Sequence, residues 1–198
     1  MADARRVGTE QPATRARMLD AVQALMIEDG YAAVSARRVA ARAEVKPALV
    51  QYYFPTMDDL FLALYRRAAE DSIERQATAL ASDRPLHALW ALSSDSAQTV
   101  LAIEFMALAN HRKAIRAEIA SYSERARALQ AEAVRRILGE STSDIAGLPP
   151  AGVSLLLAGA ARALVMERGL GIEGGHDDAQ LIVQRWLDAV APPKAPLT

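Results

Sequence analysis

Residues 35–54 read SARRVAARAEVKPALVQYYF, and this stretch decides the fold. It divides into two short helices about a sharp turn. Ser35 is placed to cap the first, its hydroxyl accepting a backbone N–H two or three residues on. Val39, Ala40 and Ala43 then fall on one face at helical spacing and make a narrow stripe of small residues. The chain restarts at Lys46-Pro47, where proline suits the first helical position because the N–H it lacks has no partner there. Leu49, Val50 and Tyr53 are predicted to face inward from the second helix, with Lys46, Ala48, Gln51 and Tyr52 outward. Two crossed helices, the second with a small polar-aromatic outer face, suit the major groove of DNA. That groove admits one α-helix and shows a different donor/acceptor pattern for each base pair.

The continuation YYFPTMDDLFLALYRRA (52–68) sharpens the assignment. Over Thr14–Ala68 the chain resembles the TetR family of one-component transcriptional repressors, whose DNA-binding domain closes with a Tyr-x-Phe-like element and runs into a long fourth helix. The resemblance implies phosphate or base contacts from Arg37 and Arg38, although both also suit a plain solvent-facing helix. It places Lys46, Pro47, Ala48, Gln51 and Tyr52 on the exposed face of the recognition helix. Gln51 is suited to pair bidentately with an adenine, which is worth about 1–3 kcal/mol of base discrimination. Tyr52 and Tyr53 are phosphate donors by the same likeness, with closure of the small core as the alternative for Tyr53. The pattern is not followed everywhere. Glu44 stands where the family has a glycine in a left-handed turn, at a cost of about 1 kcal/mol or more if φ is positive. Lys46 replaces a Ser or Thr, Gln51 a Tyr, and Met57 a lysine that grips a phosphate in relatives. The helix beginning there still offers N–H groups to an anion.

The totals agree with packed helices. Of 198 residues, 52% are hydrophobic but only 5% aromatic, with alanine prominent. Cysteine is absent, which excludes disulfides and thiolate metal sites and suits a reducing cytoplasm. No N-terminal apolar run resembles a signal peptide. The longest apolar run, Val153–Met166, is broken by Ser154 and Arg162 and is too short to span a bilayer, so no membrane partner is expected. Net charge is −1, yet residues 1–55 carry eight Lys/Arg against six acids, leaving −3 on the remainder. The sign of that asymmetry fits a DNA-binding end and a solvated body.

Taken in order, Met1–Ala13 reads as a disordered arm whose Arg5 and Arg6 would reach phosphates or simply be solvated. Thr14 is predicted to cap a first helix to Asp29, with Met18, Leu19, Val22, Leu25 and Met26 buried and Gly30 ending it. Thr56 and Asp59 form a variant capping box. The helix they open runs to about Leu80, with Leu60, Phe61, Leu64, Tyr65 and Ala68 inward. Further helices are predicted over His87–Leu92, Ala97–Asn110, Lys113–Leu138, Ala151–Arg168 and Asp177–Val190, the last capped by Asp177. Gly139–Pro150 reads as a loop and 192–198 as a disordered tail. The expected fold is all-α, with an N-terminal arm and helix-turn-helix domain over 1–55 and a helical ligand-binding and dimerisation domain over 56–191.

No catalytic constellation, metal set or cofactor motif stands out. His87, His111 and His176 are far apart, and Gly-rich GLGIEGGH (169–176) follows a helix rather than a strand, so it reads as a link between helices. A ligand cavity in the body is the sharper expectation through the family likeness. Trp90, Phe105, Met106, Asn110, His111, Arg162 and Met166 offer apolar bulk with a few polar groups. Plain core packing, with Arg162 paired to Glu104, is the alternative. Gly152, Gly159 and Ala163 would allow close approach along one helix, and Ile182, Trp186 and Val190 make a stripe on the last, together a two-fold four-helix contact. The whole points to a homodimeric repressor released from a near-palindromic operator by a largely apolar small-molecule effector. The rival is a helical enzyme or small-molecule carrier with a vestigial helix-turn-helix.

Overall fold

Ser35 caps its helix in the computed structural model, its hydroxyl accepting the Arg38 N–H at 3.3 Å. The structure describes residues 4–140 and 148–190, so the predicted tail and most of the predicted 139–150 loop lie outside the described residues. Among those described there are nine α-helices and no strand, as the all-α expectation requires. They are α1 (Ala4–Asp29), α2 (Ala36–Arg42), α3 (Pro47–Tyr53), α4 (Met57–Leu80), α5 (Pro85–Ser93), α6 (Ser96–Ala109), α7 (Lys113–Glu140), α8 (Pro150–Gly169) and α9 (His176–Val190).

Two boundaries differ from expectation. α1 begins at Ala4 instead of Thr14 and carries Pro12 inside it. Proline forfeits one ladder bond, but extending a helix already anchored by burial gains one bond per residue ordered, whereas starting one does not. α9 begins at His176, so Asp177 lies in the first turn with Asp178 rather than at the cap. Both carboxylates favour that positive helix end.

The chain divides into two units, one taking the residues up to Ala69 with Leu101–Ala120, the other Glu70–Val100 with Ser121 onward. The first buries Met18, Leu19, Val22, Leu25 and Met26 of α1 with Val39, Ala40 and Val50 of the helix-turn-helix and Leu60, Phe61 and Leu64 of α4. Leu101, Phe105 and Leu108 of α6 are buried in the same unit, and the Phe105 ring meets Tyr65 edge-on at 5.1 Å. Gly30 turns the chain after α1 at φ 80. A Cβ there would lie 3.3 Å from a Glu104 oxygen, the same oxygen that accepts the Tyr31 N–H at 2.6 Å. Glu104 is thus committed to this turn and not to Arg162.

The second unit is built on Leu86, Val134, Val153, Leu187 and Val190, flanked by Trp90, Ile137, Leu157, Val183 and Trp186. α8, at 20 residues, exceeds the apolar run read from sequence and is long and apolar enough to cross a membrane by length and composition. Ser154 keeps its hydroxyl on the Pro150 carbonyl one turn back.

Candidate DNA interface and ligand site

The recognition element is assembled by local chemistry. α2 ends in a Schellman motif: the Val45 N–H donates to the Ala40 carbonyl at 2.9 Å and the Glu44 N–H to the Ala41 carbonyl at 3.4 Å. This closure needs a left-handed residue, and Glu44 supplies it at φ 55, the one non-glycine with positive φ among the described residues. The strain expected at Glu44 is therefore present. α3 starts at Pro47, anchors itself through Val50, which is buried, and leaves Lys46, Pro47, Ala48, Gln51 and Tyr52 exposed. Tyr52 is 73% exposed and meets Tyr53 edge-on at 5.6 Å. Tyr53 is half-buried and Leu49 likewise, so the inner face of α3 rests mainly on Val50.

The two arginines of α2 differ in what they can do. Arg37 is exposed. Arg38 donates to Asp29 at 2.5 Å and to the Ala33 carbonyl at 3.1 Å, so its guanidinium holds α2 against the end of α1. Arg42 is likewise locked, forking onto both oxygens of Glu28 at 2.6 Å. The hydrogen bonds from Glu28 raise its pKa further. Arg15, which sequence reasoning passed over, sits with its guanidinium 5.3 Å from the Phe54 ring centre.

At the start of α4 the capping box is reciprocal. The Asp59 N–H donates to the Thr56 hydroxyl at 3.1 Å, and the Thr56 N–H donates to the Asp59 carboxylate at 3.0 Å. With Asp58 and Asp59 in the first turn, this helix end already holds its anions. Asp58 is also ion-paired to Arg112. A DNA phosphate would meet competition there, which the sequence alone did not weigh.

The residues expected to line a ligand cavity do not fall together. Phe105, Met106, Asn110 and His111 belong to the first unit, whereas Trp90, Arg162 and Met166 belong to the second. Phe105 is buried against Tyr65, and Met106, Asn110 and His111 are exposed. Within the second unit a narrow cavity exists, lined by Leu86, Leu89, Trp90, Val134, Leu157 and Ala158, with Ser93, Gln130 and Ser154 as its polar points. Of the expected residues only Trp90 borders it. Its volume, about 20 Å³, holds a single water.

Sequence reasoning missed the polar cluster beside it. Gln76 of α4 is 7% exposed, accepts from the Gln130 amide at 2.7 Å and donates to the Tyr122 hydroxyl at 3.2 Å. A glutamine on an otherwise apolar stripe was the signal. The other histidines are engaged: His87 with Asp188 at 2.9 Å and His176 with Glu167 at 2.8 Å.

Of the expected dimer positions, Gly152, Ala163 and Ile182 are exposed and Gly159 and Trp186 half-buried. Val190 is buried in its own unit's core at 2% exposure, because the last turn of α9 leans onto Leu86 and Val153. α8 and α9 also expose Leu155, Leu156, Met166 and Leu181.

Residues 18–64 match the family model described as bacterial regulatory proteins, tetR family. No curated protein sequence matches. A choline-bound protein from Saccharomonospora viridis superposes with a TM-score of 0.77 at 19% identity, covering 90% of this chain and 97% of that one. A TetR transcription regulator from Haloarcula marismortui gives 0.71 at 18% identity over 90% and 98% of the two chains. SmeT in its complex with triclosan gives 0.67 at 19% identity over 94% and 99%.

Proposed function

We propose that this chain, which belongs to the TetR family of bacterial regulatory proteins by the match over its helix-turn-helix, is a homodimeric repressor released from DNA by a small molecule. The observation that carries it is the outer face of α3: Lys46, Ala48, Gln51 and Tyr52 are exposed on a helix anchored from behind by Val50, with Arg37 exposed on α2. A groove-sized helix with a cation at its start and an amide in its middle can meet phosphate and base edge together. Arg38 is assigned to holding α2 in place, not to DNA.

Two copies would set their recognition helices about 34 Å apart, in successive major grooves of a near-palindromic operator. The exposed stripe Gly152–Leu155–Leu156–Gly159–Ala163 on α8 and Leu181–Ile182 on α9 supports the two-fold four-helix contact. The helical body, 56–191, would bind the effector and the N-terminal 1–55 the DNA. Complexes of the structural relatives with choline and with triclosan support a small-molecule effector. Coupling of about 1–3 kcal/mol between the two sites would weaken operator binding roughly 5- to 150-fold.

The test is to sequence genomic fragments retained by the purified protein and to confirm the recovered site by gel shift. A shared inverted repeat that shifts at low salt is expected. Fragments with no common motif would overturn the proposal.

A further inference from the structure

Two guanidinium N–H groups in the second unit are buried with no acceptor, Arg75 Nε on α4 and Arg127 Nη1 on α7. Neither arginine is ion-paired to a carboxylate among the described residues, and the acids around them are already taken. Glu70 pairs with Arg125 at 3.6 Å, and Glu132 with Arg135 and Arg136. Arg75 has one neutral partner, donating to the Gln98 side-chain oxygen at 2.7 Å. An arginine cannot shed its proton to escape burial, so an unpaired one is held at a cost that something must offset.

Arg127 stands one helical turn before Gln130 and two before Val134, and both of these line the narrow cavity. The cavity wall is otherwise Leu86, Leu89, Trp90 and Leu157. The chemistry is thus an apolar pocket with an amide on one wall and an uncompensated cation on the same helix stripe. We propose that this cavity takes an apolar carboxylic acid, its chain among the leucines and Trp90, and its carboxylate on Arg127 with the Gln130 amide as second donor. A carboxylate matches the guanidinium fork, where an alcohol or amine does not. At about 20 Å³ the cavity admits no such acid without enlargement, so binding must part α5 from α8. Gln130 already donates to buried Gln76 on α4. A carboxylate competing for that amide would loosen the helix that runs on from the recognition element. The inference names the effector class within the proposed function and depends only on its small-molecule half.

The probe is octanoate, titrated by calorimetry into the full-length protein without DNA, beside octan-1-ol and octylamine. Octanoate is expected to bind about tenfold or more tighter than either, since a hydrogen bond to a charged group is at stake. Arg127→Met is expected to lose that preference and to melt no lower than wild type. Arg127→Lys should keep a weaker preference. The proposal is overturned if octanoate does not bind, binds no tighter than the alcohol, or keeps its advantage in Arg127→Met. It is also overturned if Arg127→Met unfolds or melts lower, which would make the arginine structural. Failure of the operator capture with octanoate binding intact would sink the regulator proposal and leave the acid site standing.

Discussion

Replacing Glu44 by glycine should stabilise the protein, although it removes a side chain and adds nothing. At φ 55 an L-residue bearing a Cβ costs about 1–2 kcal/mol relative to glycine, which adopts that region freely. Against this, glycine loses more backbone entropy on folding, about 0.5–1 kcal/mol. The Schellman bonds from Val45 and Glu44 are made by the backbone and survive the change. The net gain is therefore about 0.5–1 kcal/mol. In a chain of 198 residues that corresponds to a rise in Tm of roughly 1–4 °C. Thermal unfolding followed by circular dichroism reads it directly. Glu44→Ala is the control, because it removes the carboxylate but keeps the Cβ. If the glycine variant melts no higher than wild type, the strain is not real. If the alanine variant gains equally, the stabilisation came from charge and not from backbone geometry.

Four further outcomes are expected. Arg37→Ala should weaken binding to all DNA sequences alike and reduce the salt dependence by about one counterion, whereas Gln51→Ala should relax one base position per half-site; equal losses on every sequence would refute the role of Gln51. Leu156→Glu, at a position 75% exposed in the single chain, should leave the monomer folded and raise dimer dissociation at least about tenfold in sedimentation, as expected for one charge buried in an apolar contact. Glu104→Ala orphans the Tyr31 N–H, which Glu104 holds at 2.6 Å, and should cost about 1.5–3 kcal/mol in denaturant unfolding, with Glu104→Gln recovering part. The hydrogen bond with His87, then Gln184 and Arg84, holds the Asp188 carboxyl below its ordinary range, and Arg66 does the same for Glu118. A depressed folded pKa lends stability above the ordinary carboxylate range and loses it as pH falls through the folded value. The double variant Asp188→Asn/Glu118→Gln should accordingly show a flatter loss of stability with pH in acid titration, below about pH 4.

What the residues settled by themselves is whatever depends on neighbours a few positions away. The Ser35 cap, the reciprocal Thr56–Asp59 box, the left-handed Glu44 and the succession of helices from α2 to α9 are all of this kind, because a helix end chooses its partners within one turn. Burial in α1 and the first half of α4 was legible too, since a 3.6-residue period fixes which side chains share a face. Tertiary structure decided the rest, and each case turns on a residue with several chemically equal prospects. Arg38 has the reach for a phosphate but meets Asp29 first. Glu104 interrupts an apolar helix, and nothing in its own segment reveals that it serves the Tyr31 N–H, 73 residues away. Val190 fits the spacing of an outer stripe yet is buried beside Leu86. Phe105 and Trp90, alike in composition terms, belong to different units. Arg127 and Gln130 look like surface residues of a regular amphipathic helix until α5 and α8 cover them. Periodicity specifies faces, but which face meets which, and so which charge is left unpaired, is set by packing between segments distant in the chain.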